Sequence, residues 1–303
     1  MKTTSIITVN FNQPKVTIDF LKSVKANTST EEVEVILVDN GSIENHKDAY
    51  LEAYPDLIYI YSEKNLGFAG GNNLGIKVAK GEYLLLLNND TEISENIIDV
   101  LTSEFVKNPS IGILSPLILY FEEQDVVQYA GFTEMNYVTG RNKAIGYMQK
   151  DIGQFDLESR ETGYCHGAAM MCKRMDLETV GLMADQFFLY YEELDWCEKF
   201  KQAGKKIWFT GRSRVYHKES MSVGKESSIK TYFMTRNRML FIRRNTSLLN
   251  TLIFSVFYLF VACPKQVLIY LKKGRTDLIR WVFKGICWNF KNSKDSNELG
   301  FKI

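Results

Sequence analysis

Leu84-Leu85-Leu86-Leu87 runs directly into Asn88-Asn89-Asp90. No other stretch constrains the fold as much. A strand buried on both faces is continuously apolar. In an open α/β sheet, ligands bind outside the carboxyl ends of such strands. The tip therefore delivers polar groups to a crevice. A lone carboxylate among amide oxygens suits a hard divalent cation that keeps waters and binds substrate phosphates. The rival is a helix cap, with Asp90 or Ser94 starting a helix over Glu95–Val106. A cap needs one such residue, and here three polar groups follow one another.

The N-terminal third alternates around this strand. Ser5–Val9, Val33–Val38, Leu57–Tyr61 and Tyr83–Leu87 are apolar runs that read as strands. Pro14 opens a helix after Asn12-Gln13, with Val16, Phe20, Leu21 and Val24 as its buried face, and Gly70–Ala79 reads as another. Short connections between alternating elements predict a parallel or mostly parallel sheet. From about Ile111 the pattern loosens. Glu192–Gln202 reads as a helix stopped by Gly204, and Lys206–Phe209 and Arg214–His217 as two short strands. After about Ser227 the chain becomes helical, dividing it into residues 1–227 and 228–303.

Lys plus Arg number 37 and Asp plus Glu 36, so nothing argues for nucleic acid as a partner. Five cysteines without paired CxxC spacing argue against a disulfide framework or structural zinc and favour a reducing cytosol. The apolar run Ser5–Val9 is too short for a signal-peptide core and ends in Asn10.

Several further groups carry chemistry. Asp39, in Val38-Asp39-Asn40-Gly41-Ser42, is a carboxylate at a strand tip, suited to a nucleobase or ribose; a plain Asn-Gly turn is the alternative. Asn65-Leu66-Gly67-Phe68-Ala69-Gly70-Gly71-Asn72-Asn73 allows close backbone approach to an anion at a helix N-terminus, or is simply a tight turn. It has no P-loop lysine. Glu192, Glu193 and Asp195 follow an apolar run; one is a candidate general base, and crowding raises their pKa values. An acidic first helical turn explains them equally well. His217 ends a predicted strand and offers a metal or phosphate contact, or a structural hydrogen bond. His166 sits among small residues that suit a pocket wall. Arg236, with Asn237 and Arg238, offers charge-assisted bonds to a diphosphate, or is a solvated helix face.

In order, these stretches resemble the family 2 glycosyltransferases of the GT-A type, especially their bacterial rhamnosyltransferase-like branch. The resemblance covers about residues 3–240, through Ser5–Phe11, Val38–Ser42, Asn65–Asn73, Leu87–Asp90, Gly167–Met170, Tyr191–Asp195 and Val215–His217. It implies a GT-A nucleotide-diphospho-sugar transferase fold: α/β, a mostly parallel sheet flanked by helices, with a C-terminal helical extension. It implies an inverting glycosyltransferase with a nucleotide-sugar donor, dTDP-rhamnose being the first expectation. Asp90 and His217 would hold Mg2+ or Mn2+. Asp39 would contact the base, and Asn10, Asn65, Gly67, Gly70, Asn72, Asn88, Asn89 and Arg236 would surround the donor. Glu193 would be the base, with Glu192 its rival and Asp195 beside them. Asn88 stands where the family's Asp-x-Asp pattern has its first Asp, so metal affinity without nucleotide is expected to be weak. A nucleotidyltransferase is the runner-up, but Ser5–Phe11 passes to Asn12-Gln13-Pro14 without the basic Gly-rich signature it needs. A sugar-binding scaffold without activity is the remaining alternative.

Leu248–Cys263 is strongly apolar but shorter than the roughly 20 residues of a spanning helix, and Pro264-Lys265 interrupts it. It is expected to lie on a membrane, flanked by Arg243, Arg244, Lys265, Lys272, Lys273, Arg275 and Arg280, with Trp281 and Trp288 at the interface. Peripheral contact at the inner face of the cell membrane, in the cytoplasm, suits a saccharide or lipid-linked saccharide acceptor. Packing on the catalytic domain, or a homodimer through these helices, is the alternative.

Overall fold

The computed structural model describes residues 3–29, 31–218 and 226–302. Strands β1 (Thr4–Asn10), β2 (Val33–Asn40), β3 (Ile58–Ser62) and β4 (Tyr83–Leu87) pair in parallel in the order β3-β2-β1-β4. Helices α1 (Pro14–Asn27), α2 (Lys47–Ala53) and α3 (Gly67–Val78) make the crossovers. Within each apolar run, alternate residues face opposite ways. Ile7, Ile36, Val38, Leu84 and Leu86 join one core cluster, and Ile6, Val35, Leu37, Leu85 and Leu87 the other. That is why these strands show no polar alternation. Truncating a fully enclosed member such as Leu86 to Ala would cost about 2–5 kcal/mol.

The second half interleaves antiparallel pairs. Its elements are β5 (Thr91–Glu92), α4 (Ile98–Lys107), β6 (Ile111–Tyr120), β7 (Val127–Tyr129), β8 (Ser159–Glu161), β9 (Ala169–Lys173), α5 (Leu177–Val180), α6 (Glu192–Gln202) and β10 (Lys206–His217). The sheet runs β3-β2-β1-β4-β9-β6-β10-β5, with β7 on β6 and β8 on β10. β9 is antiparallel to β4 and β6, while β10 is parallel to β6. The two short strands expected at Lys206–Phe209 and Arg214–His217 are therefore one, with a register shift between Thr210 and Arg214. Helix α4 starts at Ile98, so neither Asp90 nor Ser94 caps it.

The C-terminal helices are α7 (Ser228–Asn245), α8 (Leu248–Phe257), α9 (Cys263–Lys272) and α10 (Ile279–Lys291). Ser227 and Ser247 cap α7 and α8 through their side chains. Leu240, Phe241, Phe254 and Val282 belong to the same core cluster as Ile7 and Leu86.

The expected break at Pro264 is absent. A wide π-type turn, Tyr258–Ala262, joins α8 to α9, and Cys263 N–H donates to the Tyr258 carbonyl. Pro264 follows directly on this wider turn, the kind of local widening at which a helix accommodates a proline. Leu248–Lys272 is thus one helix of 25 residues, long and apolar enough to cross a membrane by length and composition. The flanking groups also differ from expectation. Trp288 is buried and its Nε1–H donates to the Glu298 carbonyl at 2.8 Å. Arg243, Arg244, Lys273 and Arg275 are engaged with Asn289, Asp195, Glu226 and Asp277, while Lys265, Lys272 and Arg280 stay exposed.

Candidate active site

The polar tips of β1, β2, β4 and β10 converge at one end of the sheet. Asp90 and His217 meet because β5 and β10 pair antiparallel, with His217 opposite Thr91. Lys218 N–H donates to the Asp90 carbonyl at 2.8 Å, and the Asn88 carbonyl accepts Thr91 N–H at 3.1 Å. These bonds turn the chain after β4 so that the Asp90 carboxylate faces the imidazole. His217 Nε2 stands 3.2 Å from Asp90 Oδ1, and both side chains are buried.

His217 Nδ1 is 2.8 Å from Gln128 Oε1. An amide oxygen only accepts, so Nδ1 carries a proton, and Nε2 is the nitrogen turned toward Asp90. Asp90 Oδ1 is buried with no hydrogen-bond donor. The pair offers a cation one imidazole nitrogen and one carboxylate oxygen, 3.2 Å apart. The two atoms are about as far apart as neighbouring ligands of one Mg2+ or Mn2+ at 2.0–2.2 Å. The residues therefore fit the metal that the resemblance implied. Among the described residues no group of three His, Cys, Asp or Glu side chains could hold one. Further ligands would have to be water or substrate oxygens. Gln128, on the three-residue strand β7, was not foreseen, and a lone Gln in so short a strand carries no sequence signal.

On the other side lie the α6 carboxylates. Phe188, Tyr190 and Tyr191 all adopt left-handed backbone, φ 64°, 70° and 76°, at a cost of about 1–2 kcal/mol each. Two elements hold them there. The Phe188 carbonyl accepts Phe68 N–H at 2.7 Å. Asn237 Nδ2 lies 2.8–2.9 Å from the Phe187, Leu189 and Tyr190 carbonyls. Arg236 is wholly buried and donates to the Gln186, Phe187 and Leu299 carbonyls. It is a strap on this loop and faces no diphosphate crevice, because bare carbonyls of a strained loop draw it inward.

The loop delivers Glu192 and Glu193 to different places. Glu192 is buried, with Oε2 unpartnered, and burial followed by the charge of Glu193 pushes its pKa well up. Glu193 is only partly covered and packs beside Gly167 and Phe68. Burial raises its carboxyl to about 7, against the pull of backbone N–H groups. Asp195 points to α7 instead, 3.0 Å from Arg244 Nε and 2.8 Å from Asn245 Nδ2. That buried ion pair docks α6 on α7, so Asp195 is not in the crevice. Gly167-Ala168 separates the two halves, since the Ala168 carbonyl accepts Asn88 N–H at 2.9 Å. His166 lies beside His217, ring centroids 5.9 Å apart, and burial lowers its pKa to about 3, so it stays neutral.

The remaining expected donor contacts are largely scaffold. Asn10 Oδ1 accepts Thr17 Oγ1–H at 3.0 Å and Gln13 N–H at 3.1 Å, and Asn89 Nδ2 donates to Thr17 at 2.9 Å. Asp39 is buried in the Asn-Gly turn, accepting Ser42 N–H at 3.0 Å and Tyr59 O–H at 3.3 Å. Asn65 Oδ1 accepts Gly67 N–H at 2.9 Å, so the first amides of α3 already have protein acceptors. Gly67, with φ +72°, could carry no side chain without striking the Phe188 carbonyl. Gly70 is pressed against Leu66, and Asn72 Nδ2 bonds the Phe68 carbonyl at 2.9 Å. The glycines serve helix–strand and helix–loop packing; Gly75 abuts Ile7 in the same way.

A sheet of this order with a carboxylate and an imidazole at its strand tips defines a GT-A architecture. The solved structures agree. GalNAc-T7 crystallised with UDP, GalNAc and Mn2+ matches with a TM-score of 0.68 and 20% identity, over 96% of this chain and 57% of that one. S. aureus TarS 1-349 matches with a TM-score of 0.59 and 14% identity, over 95% and 80%. This chain belongs to glycosyl transferase family 2, whose family model matches residues 5–181. It is 29% identical to the low-salt glycan biosynthesis hexosyltransferase Agl10 of Haloferax volcanii, over 68% of this chain and 66% of that protein. It is 23% identical to the N-acetylglucosaminyl-diphospho-decaprenol L-rhamnosyltransferase of Mycobacterium tuberculosis, over 68% and 73%. The chain thus spans about two thirds of the Haloferax relative.

Proposed function

We propose that this chain is an inverting glycosyltransferase moving a sugar, first of all rhamnose from dTDP-rhamnose, to a saccharide or lipid-linked saccharide in bacterial polysaccharide assembly. One observation carries this: the Asp90–His217 pair stands on one side of Gly167-Ala168 and the less covered carboxylate, Glu193, on the other. The likeness to the mycobacterial N-acetylglucosaminyl-diphospho-decaprenol L-rhamnosyltransferase supports both the rhamnosyl donor and the lipid-diphosphate acceptor. The catalytic unit is residues 1–227, and residues 228–303 form the helical extension.

Mg2+ or Mn2+ held by Asp90 and His217 would supply Lewis-acid stabilisation of the leaving diphosphate. Gln128 fixes the imidazole so that Nε2 is free to ligate. Asp39, enclosed at the tip of β2, would contact the base at the edge of the turn it braces through Ser42 and Tyr59. Glu193, with a carboxyl near pH 7, takes the acceptor's hydroxyl proton as that oxygen attacks the anomeric carbon. One displacement inverts the anomeric configuration. Glu192 is enclosed and burial pushes its carboxyl well up, so it is the poorer placed of the two.

Helix Leu248–Lys272 touches the body at Phe254, Tyr258, Cys263 and Tyr270, along most of its length. Crossing a bilayer would carry that body into lipid. It lies instead in the plane of the inner membrane face, with Leu252, Val256, Phe260 and Leu268 outward.

A thermal-shift series with Mn2+ and dTDP-, UDP- and GDP-sugars tests the donor. Stabilisation by dTDP-rhamnose is expected. Stabilisation only by GDP-mannose overturns the donor, and no response to any nucleotide sugar overturns the function.

A further inference from the structure

A cavity of about 270 Å³ lies among α7, α9 and α10, away from the Asp90–His217 pair. Its walls include Arg141, Lys230, Arg238, Thr235, Gln266 and Tyr270. Three of these are cations. Arg238 donates to the Gly140 and Thr139 carbonyls, at 3.1 and 2.8 Å, which orient it without neutralising it. Lys230 Nζ sits 5.9 Å from the centre of the Tyr190 ring. Arg141 is exposed at the mouth. Among the described residues none of the three reaches a carboxylate. The one acid in the wall, Glu226, is already paired with Lys273 and Arg275. Like charges gathered in a half-enclosed space repel, and a multivalent anion relieves them through charge-assisted hydrogen bonds.

Two neighbours say which anion. The first is the base. Tyr190 and Tyr191 link the cavity to Glu192 and Glu193. Lys230 Nζ lies over the Tyr190 ring, and Asn237, next to Arg238 on α7, holds the Tyr190 carbonyl at 2.8 Å, two residues before Glu192. The second is the helix Leu248–Lys272. Its Tyr258, Cys263, Gln266 and Tyr270 line the cavity, and its opposite side exposes Leu252, Val256 and Phe260. A charged hollow beside the acceptor base, walled by a helix with an apolar outer face, matches an amphiphile rather than a free anion.

We propose that this cavity binds the phosphate groups of a prenyl-diphosphate-linked acceptor through Arg141, Lys230 and Arg238, with its sugar toward Glu193 and its prenyl chain along the apolar helix. This rests on the acceptor named above.

Farnesyl diphosphate, titrated calorimetrically into the full chain, is the probe, with farnesol and inorganic pyrophosphate as separate arms. The expected result is binding at least about tenfold tighter than either arm, unchanged in Asp90→Asn and weakened at least about tenfold in Arg141→Gln/Lys230→Gln. Arg141→Lys/Lys230→Arg should stay within about threefold of the native chain. Pyrophosphate binding equally well identifies a free-phosphate site and overturns the proposal. So does farnesol binding equally well, or loss of binding in Asp90→Asn, which places the diphosphate at the donor site. Should the double variant not fold, Arg141→Gln alone must still weaken binding; native affinity there overturns the proposal. Charge-dependent binding without any nucleotide-sugar turnover would sink the catalytic reading and leave the cavity standing, and the reverse pattern would do the opposite.

Discussion

His217 Nε2 stands 3.2 Å from Asp90 Oδ1, a buried oxygen with no hydrogen-bond donor, while Gln128 holds the far nitrogen of the same ring at 2.8 Å. A cation bound there would take both atoms as ligands. Asp90→Asn should abolish metal-dependent turnover. Gln128→Leu should weaken Mn2+ binding about 10–100-fold, the usual effect of losing the group that orients a ligating imidazole. Because Asp90 and His217 would be the two protein ligands among the described residues, calorimetry should show weak Mn2+ binding alone and much tighter binding with nucleotide diphosphate. Equal Mn2+ affinity with and without nucleotide would contradict a shared site.

Glu193 gives a pH dependence. Its carboxyl is raised to about 7 by burial, and only the ionised form accepts a proton. Initial rates with saturating donor should rise with pH and reach half their plateau near pH 7. Glu193→Gln should lose about 10²–10⁴ in kcat and keep donor affinity. A rate profile flat from pH 5 to 8 would remove Glu193 from this role.

The front of the sheet was legible because its strands are buried on both faces, so Leu84–Leu87 and Val33–Val38 declare themselves by composition alone. The pairing of Asp90 with His217 was legible in the residues only as one of several readings of a strand-end His, and the resemblance singled it out. It depends on β5, two residues long, meeting the end of β10, and no local pattern encodes such a contact. Lys206–His217 looked like two strands because the bulge after Thr210 interrupts the alternation. The left-handed Phe188, Tyr190 and Tyr191 carry none of the Gly or Asn signals that normally announce such backbone. Arg236 was misplaced for a related reason. Its partners are carbonyl groups, which every residue has.

Glu192 and stability are linked. Its pKa is raised well above 4.5 in the fold, first by burial, so the folded chain holds a proton that the unfolded chain releases as pH rises above that value. Stability must therefore fall with rising pH until the folded-state carboxyl also ionises, by up to about 1.4 kcal/mol per pH unit. Glu192→Gln is neutral throughout and should flatten that part of the Tm profile, making the variant more stable than the native chain at pH 8. Parallel profiles for the two proteins would mean that Glu192 is already charged.

Arg236 and Asn237 tie down the strained loop before α6. Arg236→Met keeps the apolar stem and strips the Gln186 carbonyl of its Arg236 donor, while the Phe187 and Leu299 carbonyls keep Asn237 and Tyr232, a loss of about 1–3 kcal/mol for the group left unpaired. Chemical denaturation should record the lost stability. The Glu193 side chain would lose its fixed position, so kcat should fall while the donor dissociation constant stays level. A rise in that constant with kcat preserved would return Arg236 to the diphosphate.

The outer face of Leu248–Lys272 separates membrane from self-association. Leu252 and Phe260 are 56% and 76% exposed, so Leu252→Asp/Phe260→Asp changes the surface and spares the core. Each buried apolar side chain of this size contributes about 1.5–3 kcal/mol to partition, and a charge in its place opposes insertion. In flotation with phosphatidylglycerol vesicles the native chain should rise with the lipid and the double variant should remain at the bottom. Salt should weaken the native association only in part, because Lys265, Lys272 and Arg280 supply the electrostatic share and the apolar face the rest. If instead the native chain stays at the bottom, and sedimentation shows a dimer that the double variant splits, the face is an interface between two copies of this chain.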